Sequence, residues 1–144
     1  MLKQFKKSMP EVGPGSAGHS PIEGIDWFEK FFTCTQEPLC ICCVDGYFKH
    51  VNKAFSDLLG YSTEELYNTP FIEFIHPDDR QRSIEALHLF DEGNTVKDFE
   101  NRYCCSNGDI KWLSWSATFL EEEGMMLASA RDVTHRKKSE TALL

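Results

Sequence analysis

A run of alternating side chains near the C-terminus most constrains how this chain can fold. Between residues 113 and 119 every second side chain is apolar, and the three between them are serine, serine and threonine. This period of two predicts a β-strand with one buried face and one solvated face. Asn107-Gly108 and Glu123-Gly124 flank the run and suit tight turns, because glycine readily takes positive φ. The last third therefore predicts three antiparallel strands, with Leu113, Trp115, Ala117 and Phe119 on the buried face of the middle one.

The earlier part of the chain predicts a hairpin followed by helices. Residues 38–44 form a short apolar run, Asp45-Gly46 is a hairpin signal, and residues 47–52 resume as a strand. Capping residues such as Asn52 and Ser62 begin short helices, and a longer helix opens at residue 76. An isolated hairpin is marginally stable in water, so we expect it to join the C-terminal strands. The predicted fold class is α+β: a five-stranded antiparallel sheet with short helices covering one face and flanking N- and C-terminal helices.

The flanks predict three segments. Residues 1–20 are rich in proline, glycine and serine without periodicity, which is typical of a flexible leader. Ser20-Pro21 then begins a helix whose apolar residues extend to Phe32, and which packs either on the sheet or on something outside its own domain. The predicted domain covers residues 21–134, and the charged residues 135–144 predict the start of an exit helix.

Composition narrows the class of protein. The formal charge of −8 argues against a nucleic-acid-binding surface, which needs clustered lysine and arginine. The sequence contains no apolar run of membrane-spanning length and no secretory signal, so we expect a cytoplasmic protein. Of the six cysteines, Cys40-x-Cys42-Cys43 and Cys104-Cys105 lack the Cys-x-x-Cys spacing of zinc sites. We therefore predict buried free thiols and no metal site.

Four segments together resemble a PAS domain, the small sensor module of bacterial signalling proteins. They are DGYFKHVNKAFSDLLGYSTEEL, FIEFIHPDDR, VKDFENRYCCSNGDIKWLSW and ARDVTHRKKSE, which span roughly residues 21–140 in order. The chain is most similar to the PAS units of sensor histidine kinases. The resemblance implies the fold predicted above and a cavity between sheet and helices for a ligand or cofactor. It also implies that the Asp132-Val133-Thr134 junction passes the state of the domain into the exit helix.

Catalysis is not indicated, and the resemblance limits the cofactors. Asp78 and Asp79 are adjacent and suit the start of a helix better than paired acid/base chemistry. Flavin-binding photosensors of this family carry a cysteine that the corresponding segment, NTPFIEFIH, lacks. Haem-binding members place their axial histidine where this chain has Arg82 or Ser83, which leaves His88 as a weaker candidate. Neither a haem nor a flavin-adduct motif is found, and we expect this chain to be regulatory rather than an enzyme.

The candidate pocket combines apolar walls with a few polar groups. Small-molecule pockets usually have this composition. An inward Asn101 must bond a neighbour, a water or a ligand, because buried polar groups need partners. The apolar candidates would line the core with or without a cavity. The candidates are Phe55, Leu59, Phe74, Ile84, Leu87 and Trp115 for the walls, and His88, Asn101, Tyr103 and Ser129 for the polar groups.

Three functions follow from these observations. The first is a sensory domain of a bacterial histidine kinase that binds a small molecule or dimerises, and signals through Asp132 and Thr134 to a C-terminal effector. The second is a ligand-free scaffold with a filled core that only dimerises through the N-terminal helix Ile22–Phe32. For the homodimer itself we expect contacts through this helix and the exit helix. The third is a haem or flavin redox or gas sensor. A diguanylate cyclase or phosphodiesterase is the alternative parent protein.

Overall fold

The computed structural model describes residues 26–93 and 95–142, and it divides the chain into two units, residues 1–34 and 35–144. In the first unit, helix α1 spans Trp27–Cys34. The Asp26 carboxylate caps it by accepting hydrogen bonds from the backbone N–H groups of Phe28 and Glu29, at 3.0 and 3.2 Å. The predicted leader and the predicted helix start at Ser20-Pro21 lie outside the described residues.

The second unit contains a five-stranded antiparallel sheet in the order β2-β1-β5-β4-β3. The predicted α+β class and strand count are confirmed. Because the C-terminal strand β5 lies between β1 and β4, the early hairpin and the late meander form one sheet. The elements are β1 (Leu39–Cys43), β2 (Phe48–Val51), α2 (Lys53–Leu59), α3 (Thr63–Asn68), a 3-10 helix (Phe71–Phe74), α4 (Pro77–Gly93), β3 (Thr95–Cys104), β4 (Ile110–Leu120), β5 (Met125–Asp132) and α5 (Thr134–Ala142).

Capping side chains fix where the short helices begin. Asn52 caps α2: its side-chain oxygen accepts from the N–H groups of Phe55 and Leu39, both at 3.0 Å, and its amide donates to the Glu37 carbonyl at 2.8 Å. One buried side chain thus joins the helix start to strand β1. Ser62 caps α3 through the N–H of Glu65 at 3.1 Å. These caps were predicted from the sequence and are confirmed.

The core lies between one face of the sheet and the helices. Phe48 of β2 and Phe55 of α2 pack edge to face, with ring centroids 5.2 Å apart. The largest fully buried side chains are Phe48, Phe55, Leu59, Leu66, Ile75 and Leu113.

Among the helices of the described residues, none is both long and apolar enough to span a membrane.

Candidate functional site

A small cavity lies between the sheet and the helices. Its volume is about 60 Å³. One water needs about 10–15 Å³ of such space, and pockets for drug-sized ligands measure about 300–1,000 Å³. The cavity therefore has room for a molecule of only a few non-hydrogen atoms. Its walls are Cys40, Cys42, Phe48, Phe71, Ile75, Ser83, Ala86, Leu87, Val96, Phe99, Asn101, Tyr103, Trp115, Ala117, Met126 and Ala128.

The alternation of the strands aims these side chains inward, and one bulge changes the alternation. In β3 the residues Phe99, Asn101 and Tyr103 face the cavity at the expected period of two. The pairing with β4 shifts register between Val96 and Phe99, and Asp98 in that bulge has φ 57°. Aspartate tolerates this left-handed conformation. The extra residue reverses the alternation, so that Val96 also lines the cavity.

Three buried polar side chains form a hydrogen-bonded cluster in the wall. The indole N–H of Trp115 donates to Asn101 Oδ1 at 2.8 Å, and Asn101 Nδ2 donates to Ser83 Oγ at 3.0 Å. The Ser83 hydroxyl donates to the backbone carbonyl of Asp79 at 2.7 Å. The cluster joins β4, β3 and α4, and it fixes which end of the Asn101 amide points to which neighbour. Asn101 is therefore satisfied by the protein itself.

Two ionisable groups of the wall, the Tyr103 hydroxyl and the Cys40 thiol, are held neutral. Burial raises the pKa of Tyr103 well above its ordinary value. The neighbouring Cys42 thiol and burial raise the pKa of the Cys40 thiol in the same way. Among the described residues, none that lines the cavity is charged. The cavity thus disfavours any ligand with a net charge, because a buried charge without a partner is costly.

Seven of the ten predicted pocket residues are buried or face the cavity. Leu87, Asn101, Tyr103 and Trp115 line it. The other three contribute to the core without lining the cavity: Phe55, Leu59 and Phe74, which are 0%, 1% and 5% exposed.

The predictions that Ile84, His88 and Ser129 line the cavity are wrong. Ile84 is 37% exposed, and His88 is exposed. Helix α4 turns Ser83, Ala86 and Leu87 inward instead, at the i, i+3, i+4 spacing of one helical face. Ser129 lies between Ala128 and Ala130 on β5, so its side chain points to the opposite face of the sheet from the cavity-lining Ala128.

Several wall residues were missed, among them two thiols, a serine and a valine. Cys40 and Cys42 were predicted to be buried thiols, and their alternation on one strand was the signal that could have placed them on a shared face. Ser83 was considered only as a position for a haem ligand, yet it is 4% exposed and part of the cluster. For Val96 the sequence carried no signal, since its position depends on the bulge.

A haem group, one of the alternatives raised by the sequence, does not fit this cavity or its lining residues. Of the histidines in the described ranges, none lines the cavity, and a volume of about 60 Å³ is far too small for a porphyrin. The described residues also contain no cluster of three or more histidine, cysteine or carboxylate side chains that could hold a metal ion.

The predicted junction ties the exit helix to the sheet. The Trp112 backbone on β4 accepts a hydrogen bond from Val133 N–H at 2.8 Å and donates one to Thr134 Oγ1 at 2.9 Å. Asp132 Oδ1 accepts from the Thr134 hydroxyl at 2.6 Å and from its backbone N–H at 2.9 Å. The carboxylate therefore orients Thr134 so that its oxygen faces Trp112, and α5 begins at a fixed place on β4.

A chain of charged contacts connects the cavity helix with the exit helix. The buried Asp79 at the start of α4 accepts three hydrogen bonds from Arg102 of β3: from the backbone N–H at 2.7 Å and from the guanidinium at 2.6 and 2.9 Å. The Arg102 guanidinium and Lys137 of α5 lie 5.2 and 4.6 Å from the Trp112 ring centre. Lys137 also pairs with Glu100 at 2.8 Å.

These contacts lower the pKa values of both carboxylates, Asp79 and Glu100. The side-chain hydrogen bonds from Arg102 hold the pKa of Asp79 below its ordinary value. Lys137 does the same for the pKa of Glu100, with help from Arg136. Both carboxylates are therefore ionised at neutral pH, and the contacts between α4, β3 and α5 persist there.

Comparison with known proteins places this geometry in a family. The model of a family described as the PAS fold matches residues 48–128. The methyl sulfide methyltransferase-associated sensor of Methanosarcina acetivorans is 32% identical over 120 residues, which cover 80% of this chain and 12% of that protein. The probable diguanylate cyclase DgcE of Escherichia coli is 28% identical over 102 residues, which cover 67% of this chain and 9% of that protein. The chain thus spans about a tenth of the length of these curated relatives.

A solved structure has the same arrangement. The crystal structure of a sensory box histidine kinase/response regulator from Burkholderia thailandensis is 28% identical and superposes with a TM-score of 0.61. The match covers 82% of this chain and 92% of that chain.

Proposed function

The chain belongs to the PAS-fold family, and on that premise we propose that it is the sensory domain of a longer signalling protein, in which a small molecule in the cavity changes the position of the exit helix. The observation that carries this proposal is that the same sheet lines the cavity on one face and contacts the exit helix on the other. The cavity-facing residues Asn101 and Trp115 alternate on β3 and β4 with Arg102 and Trp112. Lys137 of the exit helix lies over the Trp112 ring, and Arg102 lies over the same ring.

The alternation gives the proposal a mechanism. A ligand that displaces the Ser83–Asn101 hydrogen bond moves the start of α4, where Asp79 holds Arg102. Arg102 in turn lies over Trp112, whose backbone holds Val133 and Thr134. Interfaces of this kind have discrete arrangements, so a small shift at one end is passed on as a change of packing at the other.

We propose a histidine kinase as the parent protein, because the matched chain from Burkholderia thailandensis is described as a sensory box histidine kinase/response regulator. A diguanylate cyclase is the alternative, and the Escherichia coli relative supports it. The bacterial, cytoplasmic setting remains part of this proposal. It suits the six cysteines, all of which are free thiols, because reducing compartments keep thiols unpaired.

The junction is tested by Asp132→Ala in the full-length parent. We expect the effector to lose its response to the signal, because Thr134 is no longer held against Trp112, while the free energy of unfolding falls by only about 1 kcal/mol, as for other lost helix caps. In this chain, hydrogen exchange should become faster at the α5 amides and stay unchanged in β3 and β4. Arg131→Ala, a neighbouring exposed position, is the matched control. An unaltered response in the Asp132 variant contradicts the proposed relay.

A ligand-free dimerisation scaffold is the second candidate. The small cavity and the satisfied Asn101 side chain favour it, since the core is nearly complete without a ligand. The proposed dimer uses the N-terminal helix, which exposes Trp27 and Phe31, together with the exit helix. Native mass spectrometry after gentle purification separates the two functions. A retained small molecule supports sensing, whereas an empty dimer supports the scaffold.

A further inference from the structure

The exit helix α5 has a charge pattern that opposes its own formation. Arg136, Lys137 and Lys138 lie within its first five residues, and its first turn contains no acidic residue. The N-terminus of a helix carries a partial positive charge, so cations there are destabilising. The helix spans nine residues, and isolated helices shorter than about 12–15 residues are marginal in water. Contacts with the rest of the domain therefore have to stabilise α5 where it lies.

These contacts are mainly electrostatic, because no side chain in the described length of the helix is buried. Glu100 of β3 pairs with Lys137 at 2.8 Å and also pairs with Arg136. Lys137 lies 4.6 Å from the centre of the Trp112 ring as well. Among the described residues, Glu100 is the only carboxylate outside α5 that forms an ion pair with this helix. It thus supplies the negative charge that the first turns of α5 lack.

Glu100 and the junction hold the helix at different places. Asp132 and Thr134 fix where α5 begins, at the backbone of Trp112 on β4. Glu100 contacts the helix two and three residues after Thr134, and it belongs to β3. Its β4 partner, Ser114, is two residues from Trp112, so the two attachment points lie side by side on neighbouring strands. Two separate points determine the direction of a helix, whereas the junction alone fixes only its start.

We propose that Glu100 is the positioning residue of the exit helix: its ion pairs with Arg136 and Lys137 hold α5 along β3 and β4, and breaking them releases the helix while the junction and the core stay intact. This assignment deepens the proposed sensory function and rests on it, because it names the contact that a signal has to break. The Glu100 and Lys137 side chains are 24% and 26% exposed, and ion pairs that reach solvent are individually weak. The docked and released positions of α5 therefore differ little in free energy, so a signal can shift the balance between them.

Hydrogen exchange and NMR of the full chain test the proposal with Glu100→Gln, which removes the charge and keeps the shape of the side chain. We expect exchange at the amides of residues 137–142 to become about fivefold to tenfold faster, the worth of two partly exposed ion pairs. The indole N–H resonance of Trp112 should shift, because Lys137 leaves its ring. That of the buried Trp115 should stay unchanged, because the core is intact.

Two further measurements separate an effect of charge from an effect of packing. Raising the salt concentration from about 0.05 M to about 1 M should speed exchange of α5 in the unaltered chain and change it little in Glu100→Gln, because salt screens exposed charges. Combining Glu100→Lys with Lys137→Glu restores opposite charges, so α5 should exchange more slowly in this double variant than in Glu100→Lys alone. Glu122→Gln, which neutralises an exposed carboxylate on the β4–β5 turn, is the matched control and should behave as the unaltered chain.

Unchanged exchange of α5 in Glu100→Gln overturns the proposal. Equal acceleration in the Glu122→Gln control also overturns it, as does a charge swap that fails to slow exchange. These outcomes concern the position of the helix alone and leave the sensory function standing. The sensory function fails separately if Glu100→Gln releases α5 and the effector of the full-length parent still responds normally to the signal.

Discussion

Replacing the buried Asp79 with alanine is expected to lower the free energy of unfolding by about 2–3 kcal/mol, the largest effect we expect from removing any single charge in this chain. The substitution removes three hydrogen bonds at once and leaves the Arg102 guanidinium and backbone N–H without their acceptor. The Arg102 side chain is 28% exposed, so water compensates part of this loss and keeps the effect below that of a fully enclosed ion pair. Urea denaturation of the two proteins measures it.

The neighbouring carboxylate is a matched control for that experiment. Asp78 also lies in the first turn of α4, and its side chain is 75% exposed. Asp78→Ala removes the favourable interaction with the helix dipole and a 3.9 Å contact with His76 Nδ1, and at this exposed site we expect the loss to stay below about 1 kcal/mol. Similar losses for the two substitutions would show that Asp79 acts only as a helix-start charge, and that Arg102 is not held by it.

The pH dependence of stability gives a second measure of the same contact. Because Arg102 lowers the pKa of Asp79, this carboxyl stabilises the fold only while it is ionised. Its contribution is complete above the unfolded-state pKa of about 3.9 and is lost as the pH falls through the lower folded-state pKa. We therefore expect a shallower loss of stability below about pH 4 in Asp79→Asn than in the unaltered chain. Parallel curves would contradict this, since Glu100 and the other carboxylates are present in both proteins.

The fold was predictable because its signals are local. Asn52 and Ser62 cap helices through atoms within three residues along the chain, and the alternation from Leu113 to Phe119 identifies a strand without reference to its neighbours. The caps and the alternation agreed with each other in the part of the chain that the structure describes. Such agreement between levels is what distinguishes a well-specified fold.

The cavity was less predictable because its walls depend on partners far along the chain. On α4 the spacing of the apolar residues predicted that Ile84 points toward the sheet. The structure instead buries the polar residues Asp79 and Ser83. They are buried because Arg102 and Asn101, contributed by β3, provide their hydrogen-bond partners. A pattern of hydrophobic residues along one helix contains no information about partners on another element. It therefore cannot determine which face of the helix packs against the sheet.

The error at Ser129 has a different origin. Its partner across the β4–β5 pairing is Ser116, and Trp115, the residue before Ser116, faces the cavity. Residues that are paired across a sheet point to the same face, so Ser129 had to point away once this register was known. The β4 pattern was read correctly, and the missing information was the register that relates β5 to it. The bulge that places Val96 could not be predicted for the same reason, because it is a feature of the register between β3 and β4.

The buried cluster predicts a second large effect, which a double-mutant cycle can isolate. Asn101→Leu is expected to lower the free energy of unfolding by about 2–3 kcal/mol, because it leaves the indole N–H of Trp115 buried without an acceptor. Trp115→Phe should cost about 1–2 kcal/mol through lost packing and the loss of the same hydrogen bond. Chemical denaturation of the two single variants and the double variant completes the cycle.

The two losses should not add. Once phenylalanine replaces Trp115, no orphaned N–H remains for Asn101→Leu to expose, so the double variant should be more stable than the sum predicts by about 1 kcal/mol or more. Additivity within about 0.5 kcal/mol would mean that the 2.8 Å contact contributes nothing beyond packing. The amide would then be free to turn toward a ligand at no cost to the fold. A positive coupling instead implies that any occupant which recruits Asn101 must compete with Trp115 and Ser83, and this competition is how binding would move α4.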